Sequence, residues 1–415
     1  MATRSTSPVA NGSAPSFVGP FIIVTTLFGI IGFLTSLNNV LVKKLEDTFQ
    51  LTHGPAMLAT AAWFLAYLVF SIPASKVIEA VGYKRTIVIS LLVMTGGALL
   101  FLPAANMVSF HMTLFAIFVL ATGVCGLQTS ANPYVSILGP ERSAAARLTL
   151  AQAFNSIGSL AAPWIAGIFI LSSATTPVDA KATAHMLQGP YIAIAAALLL
   201  LSFAVTMLRL PAITATRDFR PSDVTSGRSI WSYSHTVLGM LGILFYAGTE
   251  ISLVAITIQF CLSQGMTKVE TASLMVSLFY LGMMVGRLLG SLVMVWIKAE
   301  KLLVLLGALG VALLLTAMFT HGNVAIACLV LTGIANSVMY PNIFALGIAE
   351  LGPLTSKGSG VITIGNVGGA IVPPLFGLLA DKTSIQVAFI IPIVGYLFVA
   401  YYGLVGYKPS RDVKA

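Results

Sequence analysis

The sequence predicts an all-α membrane protein whose twelve transmembrane helices form two pseudo-symmetric six-helix bundles, and three observations lead there. Of 415 residues, 57% are hydrophobic and 8% are charged, against about 25% charged in a soluble domain. Apolar runs near 20 residues, each able to cross about 30 Å of hydrocarbon, fall at 17–42, 55–78, 86–105, 111–137, 148–172, 189–209, 234–262, 271–296, 301–320, 323–346, 358–380 and 385–406. The third observation is a repeat. Asn132-Pro133-Tyr134-Val135-Ser136-Ile137-Leu138-Gly139 matches Tyr340-Pro341-Asn342-Ile343-Phe344-Ala345-Leu346-Gly347 at an offset of 208, and Asn155-x2-Gly158-x4-Pro163 matches Asn366-x2-Gly369-x4-Pro374 at 211.

A chain that repeats itself in the same direction at half its length is built like two parallel transporter halves, with the substrate site between them near the bilayer midplane. The expected organisation is a disordered cytoplasmic tail (1–16), an N-terminal bundle (17–209), a polar cytoplasmic linker (210–233), a C-terminal bundle (234–406) and a cytoplasmic tail (407–415). With both termini cytoplasmic, seventeen of the 22 Lys and Arg residues fall inside and five outside, which fixes the orientation by the positive-inside rule.

The elements follow in order. The first span ends with Asn38 and Asn39 in apolar surroundings. After the second span comes Gly82-Tyr83-Lys84-Arg85, a basic turn whose counterpart in the second half is read as Gly286-Arg287-x2-Gly290. Lys84, Arg85 and Arg287 either latch helix ends together by charge-assisted hydrogen bonds or simply anchor them. Gly139-Pro140-Glu141-Arg142 breaks the chain after the fourth span and supplies an ion pair; Glu350 stands in the matching segment. Glu141, Arg142 and Glu350 are read as gate or latch residues. The seventh span holds Glu250, alone among the thirteen acidic residues in lying deep within a span.

Gln128 and Asn132 stand four residues apart, and Gln152 and Asn155 three apart, so each pair shares a helix face. Membrane amides often hold helices together; Asn39, Gln128, Asn132, Gln152, Asn155, Gln259, Asn342 and Asn366 can equally serve as ligands, since uncharged donor-acceptors suit hydroxyls. Their convergence with Glu250 and tyrosines suits a neutral polyhydroxylated solute. Glu250 is read as an acceptor for hydroxyls, a titrating coupling group or a structural carboxylic acid.

At LQTSANPYVSILGPERSAAARLTLAQAFNSIGS, with FQLT after the first span and YPNIFALGI in the tenth, the chain resembles the fucose permease and glucose/galactose transporter family of the major facilitator superfamily. The resemblance runs from about 17 to 406. It implies alternating access and uptake of a small neutral sugar, usually driven by protons, across a bacterial inner membrane. The family's Leu-Asn-Asp motif falls on Leu37-Asn38-Asn39, so its proton-binding acid is replaced by Asn39. Gln128 matches the glucose/galactose branch rather than the fucose branch, which has glutamate there. Gln152 and Asn155 match positions lining the sugar cavity, and Glu250 matches a glutamate of the glucose/galactose branch. An amide has the shape of a protonated acid but releases no proton, so coupling is expected to be weakened or lost, with Glu250 as the alternative coupling group and sodium as an alternative ion.

Other classes fit poorly. The net charge of +9 is spread over span ends rather than a basic stripe, which argues against nucleic acid. Cys125, Cys261 and Cys328 have no metal-type spacing, and no nucleophile, metal or phosphate motif suggests an enzyme. A drug-efflux pump of the same architecture would want fewer amides. No cofactor is expected; the partners are the sugar, a proton and membrane lipids, and the chain is expected to act as a monomer.

Overall fold

The structure, a computed structural model, describes residues 18–49, 53–166, 188–207 and 229–409. The N-terminal tail, most of the linker and the last residues of the C-terminal tail lie outside them. Every regular element described is a helix, as lipid demands: with no water to bond exposed N–H and C=O groups, a span must satisfy them internally.

The first half comprises α1 (Val18–Phe49), α2 (His53–Asn106), α3 (Phe110–Ile137), α4 (Ala144–Ala166) and α5 (Gln188–Met207). Helix α2 is two spans joined at Gly82, whose φ of 82° lies in the left-handed region open to glycine. The second half comprises α6 (Ser234–Ser263), α7 (Val269–Val293), α8 (Ala299–Phe319), α9 (Gly322–Asn336), α10 (Met339–Gly347), α11 (Thr355–Ile364), α12 (Gly368–Lys382), α13 (Ile385–Ala388) and α14 (Ile390–Tyr401). Nine stretches among the described residues are long and apolar enough to cross a membrane. One of them, Leu58–Asn106, is divided by Gly82, and α1 and α4 stand outside the nine, which gives the twelve spans expected.

Three of the later spans are interrupted. The tenth breaks between α9 and α10, the eleventh passes through a 3-10 turn at Gly365–Val367, and the twelfth is α13 followed by α14. The repeated prolines explain part of this. A proline inside a helix has no N–H for the carbonyl four residues back, so Pro133 releases Thr129 and Pro341 releases Ser337. Both freed carbonyls are used: Thr129 O accepts from the Ser359 hydroxyl at 2.6 Å, and Ser337 O accepts from Arg287 Nε at 3.1 Å.

Each bundle also contains a glycine-mediated crossing. A Cβ on Gly158 would sit 1.8 Å from Gly29 O, and one on Gly32 would sit 1.9 Å from Asn155 O, so α1 and α4 touch backbone to backbone. In the second half, a Cβ on Gly365 would lie 2.3 Å from Met240 O and one on Gly368 2.0 Å from Leu244 O, which seats the eleventh span on α6 in the same manner. These two contacts bring the amides of α4 and the 3-10 turn to the interface between bundles.

Candidate functional site

A cavity lies where the bundles meet. Thr35 and Ser36 of α1, Trp63, Phe64 and Tyr67 of α2, Gln128 of α3, and Gln152, Asn155 and Ser159 of α4 line it from the first half. Tyr246, Ala247, Glu250 and Ile251 of α6, Tyr280 and Arg287 of α7, Tyr340 of α10 and Asn366 of the 3-10 turn line it from the second. Aromatic rings and hydrogen-bonding side chains thus line it together, with one carboxyl and one guanidinium group. Gln128 Oε1 is buried without a hydrogen-bond partner in the protein, and the buried Tyr246 hydroxyl stands beside both Glu250 and Arg287. An unpartnered buried acceptor is costly, and here a solute hydroxyl or water would satisfy it.

Five of the expected ligands, Gln128, Gln152, Asn155, Glu250 and Asn366, are thus brought together. The others are placed differently. Asn132 is fully buried one turn beyond Gln128 and donates to the Tyr340 hydroxyl at 3.1 Å. Asn342 is fully buried too; it donates to Ala299 O at 3.3 Å and faces the Thr149 hydroxyl at 3.5 Å. Both hold helices together instead of lining the cavity. Gln259 is exposed and outside the cavity, since nine residues from Glu250 is two and a half helical turns, which points it to the opposite face. Asn39 lies within α1, but its side chain is outside the described residues.

Arg287 is the main correction. It is not part of a basic loop: it sits inside α7, 6% exposed, and lines the cavity. The structural counterpart of the Gly82 turn is the segment 294–298, where the helix ends. The Arg287 guanidinium donates to Gln152 O at 3.0 Å and to the Ser156 hydroxyl at 2.6 Å, so two of its bonds cross from one bundle to the other. A signal was available in the sequence, because a charge six residues before the end of an apolar helix faces protein far more often than lipid.

The expected latch residues also differ. Lys84 donates to Thr206 O at 2.8 Å within its own bundle, and Arg85 is exposed. Glu141 and Arg142 are exposed and form no ion pair with each other. Arg147 organises that corner instead, donating to Val135 O at 3.2 Å, Ser136 O and Pro140 O at 2.9 Å, as a cation does at the carbonyl end of a helix. Glu350 is exposed and adopts a φ of 57°. The ion pair that does bridge the halves is Glu79 with Lys357, at 3.6 Å, and Glu79 also accepts from the Ser356 hydroxyl at 3.3 Å.

These bridges share one end of the molecule. Asn132–Tyr340, Thr149–Asn342, Thr129–Ser359 and Glu79–Lys357 all lie between the cavity and the end carrying segments 138–143 and 348–354, which is consequently closed.

Comparison with known proteins agrees with this architecture. Residues 24–365 match the Major Facilitator Superfamily. The chain is 40% identical to the glucose/galactose transporter of Brucella abortus over 93% of each chain. It superposes on a crystal structure of the E. coli fucose:proton symporter FucP with a TM-score of 0.81 at 27% identity, covering 94% of this chain and 98% of that one. A FucP structure in the outward conformation matches with a TM-score of 0.81 at 28% identity, over 93% of this chain and 98% of that one.

Proposed function

Because the chain belongs to the Major Facilitator Superfamily, we propose that it is an alternating-access carrier of a neutral hexose in which Asn39 weakens or abolishes proton coupling. The observation that carries the reading is the cavity between the bundles, where Gln128, Gln152, Asn155 and Asn366 present uncharged donor-acceptors beside aromatic rings. Amides bond sugar hydroxyls as donor and acceptor alike, and the rings offer apolar faces to the C–H side of a pyranose. The glucose/galactose transporter of Brucella abortus, 40% identical, supports the substrate class.

In this reading the closed end is cytoplasmic, both termini are cytoplasmic, and the protein is a monomer in a bacterial inner membrane facing outward. Sugar enters from outside and bonds to amides of both bundles. Binding then draws the outer halves together while the seam from Asn132–Tyr340 to Glu79–Lys357 parts. Each neutral hydrogen bond in that seam contributes about 0.5–1.5 kcal/mol. A handful of them holds the closed end by a few kcal/mol, a gap that a bound solute can overcome.

Asn39 sets the energetics. A group that cannot release a proton leaves the empty and loaded carrier equally free to return, so sugar runs downhill or exchanges. Asn39→Asp is expected to restore sugar-driven proton entry in proteoliposomes holding a pH-sensitive dye, while the chain as given exchanges labelled glucose or galactose without moving protons. Equal proton movement by both forms would defeat this assignment. It would favour the second reading, a proton or sodium symporter that titrates at Glu250, which the position of Glu250 in the cavity supports.

A further inference from the structure

Glu250 and Arg287 are the two charged side chains that line the cavity among the described residues. They act on one another electrostatically, yet no ion pair within 4 Å joins them directly, the described ion pair being Glu79–Lys357; the Tyr246 hydroxyl stands between the two, beside both. The Arg287 guanidinium is held by Gln152 O, the Ser156 hydroxyl and Ser337 O. Those groups are neutral dipoles: they orient the charge without cancelling it. A guanidinium does not give up its proton in a protein, and an uncompensated charge at this depth is expensive. Among the described lining residues, the compensating charge is the carboxylate of Glu250. The cavity is therefore neutral overall but has two separated poles, and a solute lies within reach of both.

We infer that this separated pair is the charge filter of the cavity: Glu250 rejects sugars bearing a carboxylate, Arg287 rejects sugars bearing an ammonium group, and neutral hexoses are admitted. The inference rests on the hexose-carrier reading and extends it to the substrate class that is turned away. Its consequence is that selectivity is invertible. With Glu250 made an amide, Arg287 keeps its three hydrogen bonds but loses its counter-charge, and a hexuronate can supply a carboxylate in place of the missing one. A hexuronate replaces one CH2OH of a hexose by a carboxylate, so it needs no larger cavity. With Arg287 made an amide, Glu250 is the lone charge, and a protonated amino sugar becomes the favoured ligand.

The test uses the full-length chain in proteoliposomes and counterflow of labelled glucose, glucuronate and glucosamine, the last at mildly acidic pH. The wild-type protein, E250Q, R287Q and the double variant E250Q/R287Q are compared. The expected result is a rise of at least about tenfold in the glucuronate-to-glucose ratio for E250Q, equivalent to about 1.4 kcal/mol. A similar rise in the glucosamine-to-glucose ratio is expected for R287Q, and both gains should disappear in the double variant. A filter is overturned if the wild-type protein takes glucuronate as readily as glucose, or if the ratios stay where they were. It is equally overturned if the double variant keeps the gains, since a merely loosened cavity would do that. Should E250Q not yield monodisperse protein, the glucosamine arm with R287Q decides the matter alone. A wild-type protein that exchanges no neutral hexose rejects the carrier reading instead, and is told apart by the glucose arm.

Discussion

Gly360 of α11 faces the second span across the closed seam, and a methyl group there is expected to push that seam open. A Cβ at this position would lie 2.7 Å from Ser75 Cβ and 2.9 Å from both Ser71 O and Ser75 Oγ, well inside ordinary van der Waals separation. Two of these three contacts involve Ser75, a short side chain with little room to retreat, and one is main chain. Overpacking of this kind costs about 1–3 kcal/mol. The gain in helix propensity from Gly to Ala is about 1 kcal/mol and applies in both conformations, so it does not alter their ratio. The steric cost applies only while α2 and α11 touch, and 1–3 kcal/mol moves a two-state equilibrium by roughly 5- to 150-fold. Spin labels on R142C and K298C, exposed sites on opposite bundles at that end, would report the change as a longer-distance population in pulsed electron resonance. The native Cys125 and Cys261 are buried and should not label, and Cys328 would be replaced by serine. Gly377→Ala, where nothing lies within 4 Å of the added carbon, serves as the control. A Gly360→Ala distribution that superimposes on the control would refute the seam as the element holding this state.

Two further substitutions separate folding from transport. Gly158→Val places carbon 1.8 Å from Gly29 O inside one bundle, in every conformation, so it should lower thermal stability by 1–3 kcal/mol or more; size-exclusion after heating measures it, and an unchanged melting profile would contradict the crossing described. Gln259→Ala removes an exposed amide on the face away from the cavity, and hexose uptake should stay within about twofold of the parent, the range of about 0.5 kcal/mol expected for surface changes; a large loss would return Gln259 to the site.

Much of this was legible in the residues, and the failures have definite causes. The repeat offset of 208 reappears as a contact: Asn132 and Tyr340, equivalent positions in the two halves, bond to each other. Two copies of one segment meet on the axis that relates them, so an alignment of the chain with itself pointed to a pair in space. Gln259 shows why an amide within a span needs its helical phase: nine residues from Glu250 is the opposite face of the helix, where it is exposed. Arg287 reads as a loop residue when its neighbouring glycines are weighed alone, because a basic residue next to glycines looks the same whether it ends a helix or lies within one. The apolar run 271–296 already encloses position 287, and α7 follows that run. The pairing of Glu79 with Lys357 has no local signal at all, being separated by most of the chain.

The depth of each seam contact below the cavity has a mechanical consequence. At about 1.5 Å per residue, Asn132 lies roughly 6 Å beyond Gln128, whereas Glu79 lies roughly 18 Å beyond Tyr67, another cavity residue. If a bundle rotates about an axis through the cavity, displacement scales with lever arm, and the Glu79–Lys357 pair travels about three times as far as Asn132–Tyr340. The rim contact is half-exposed, screened by salt and individually worth little; the contact near the fulcrum is buried. Release therefore runs from rim to centre like a zip, the weakest tooth parting first and the pair on the symmetry axis last.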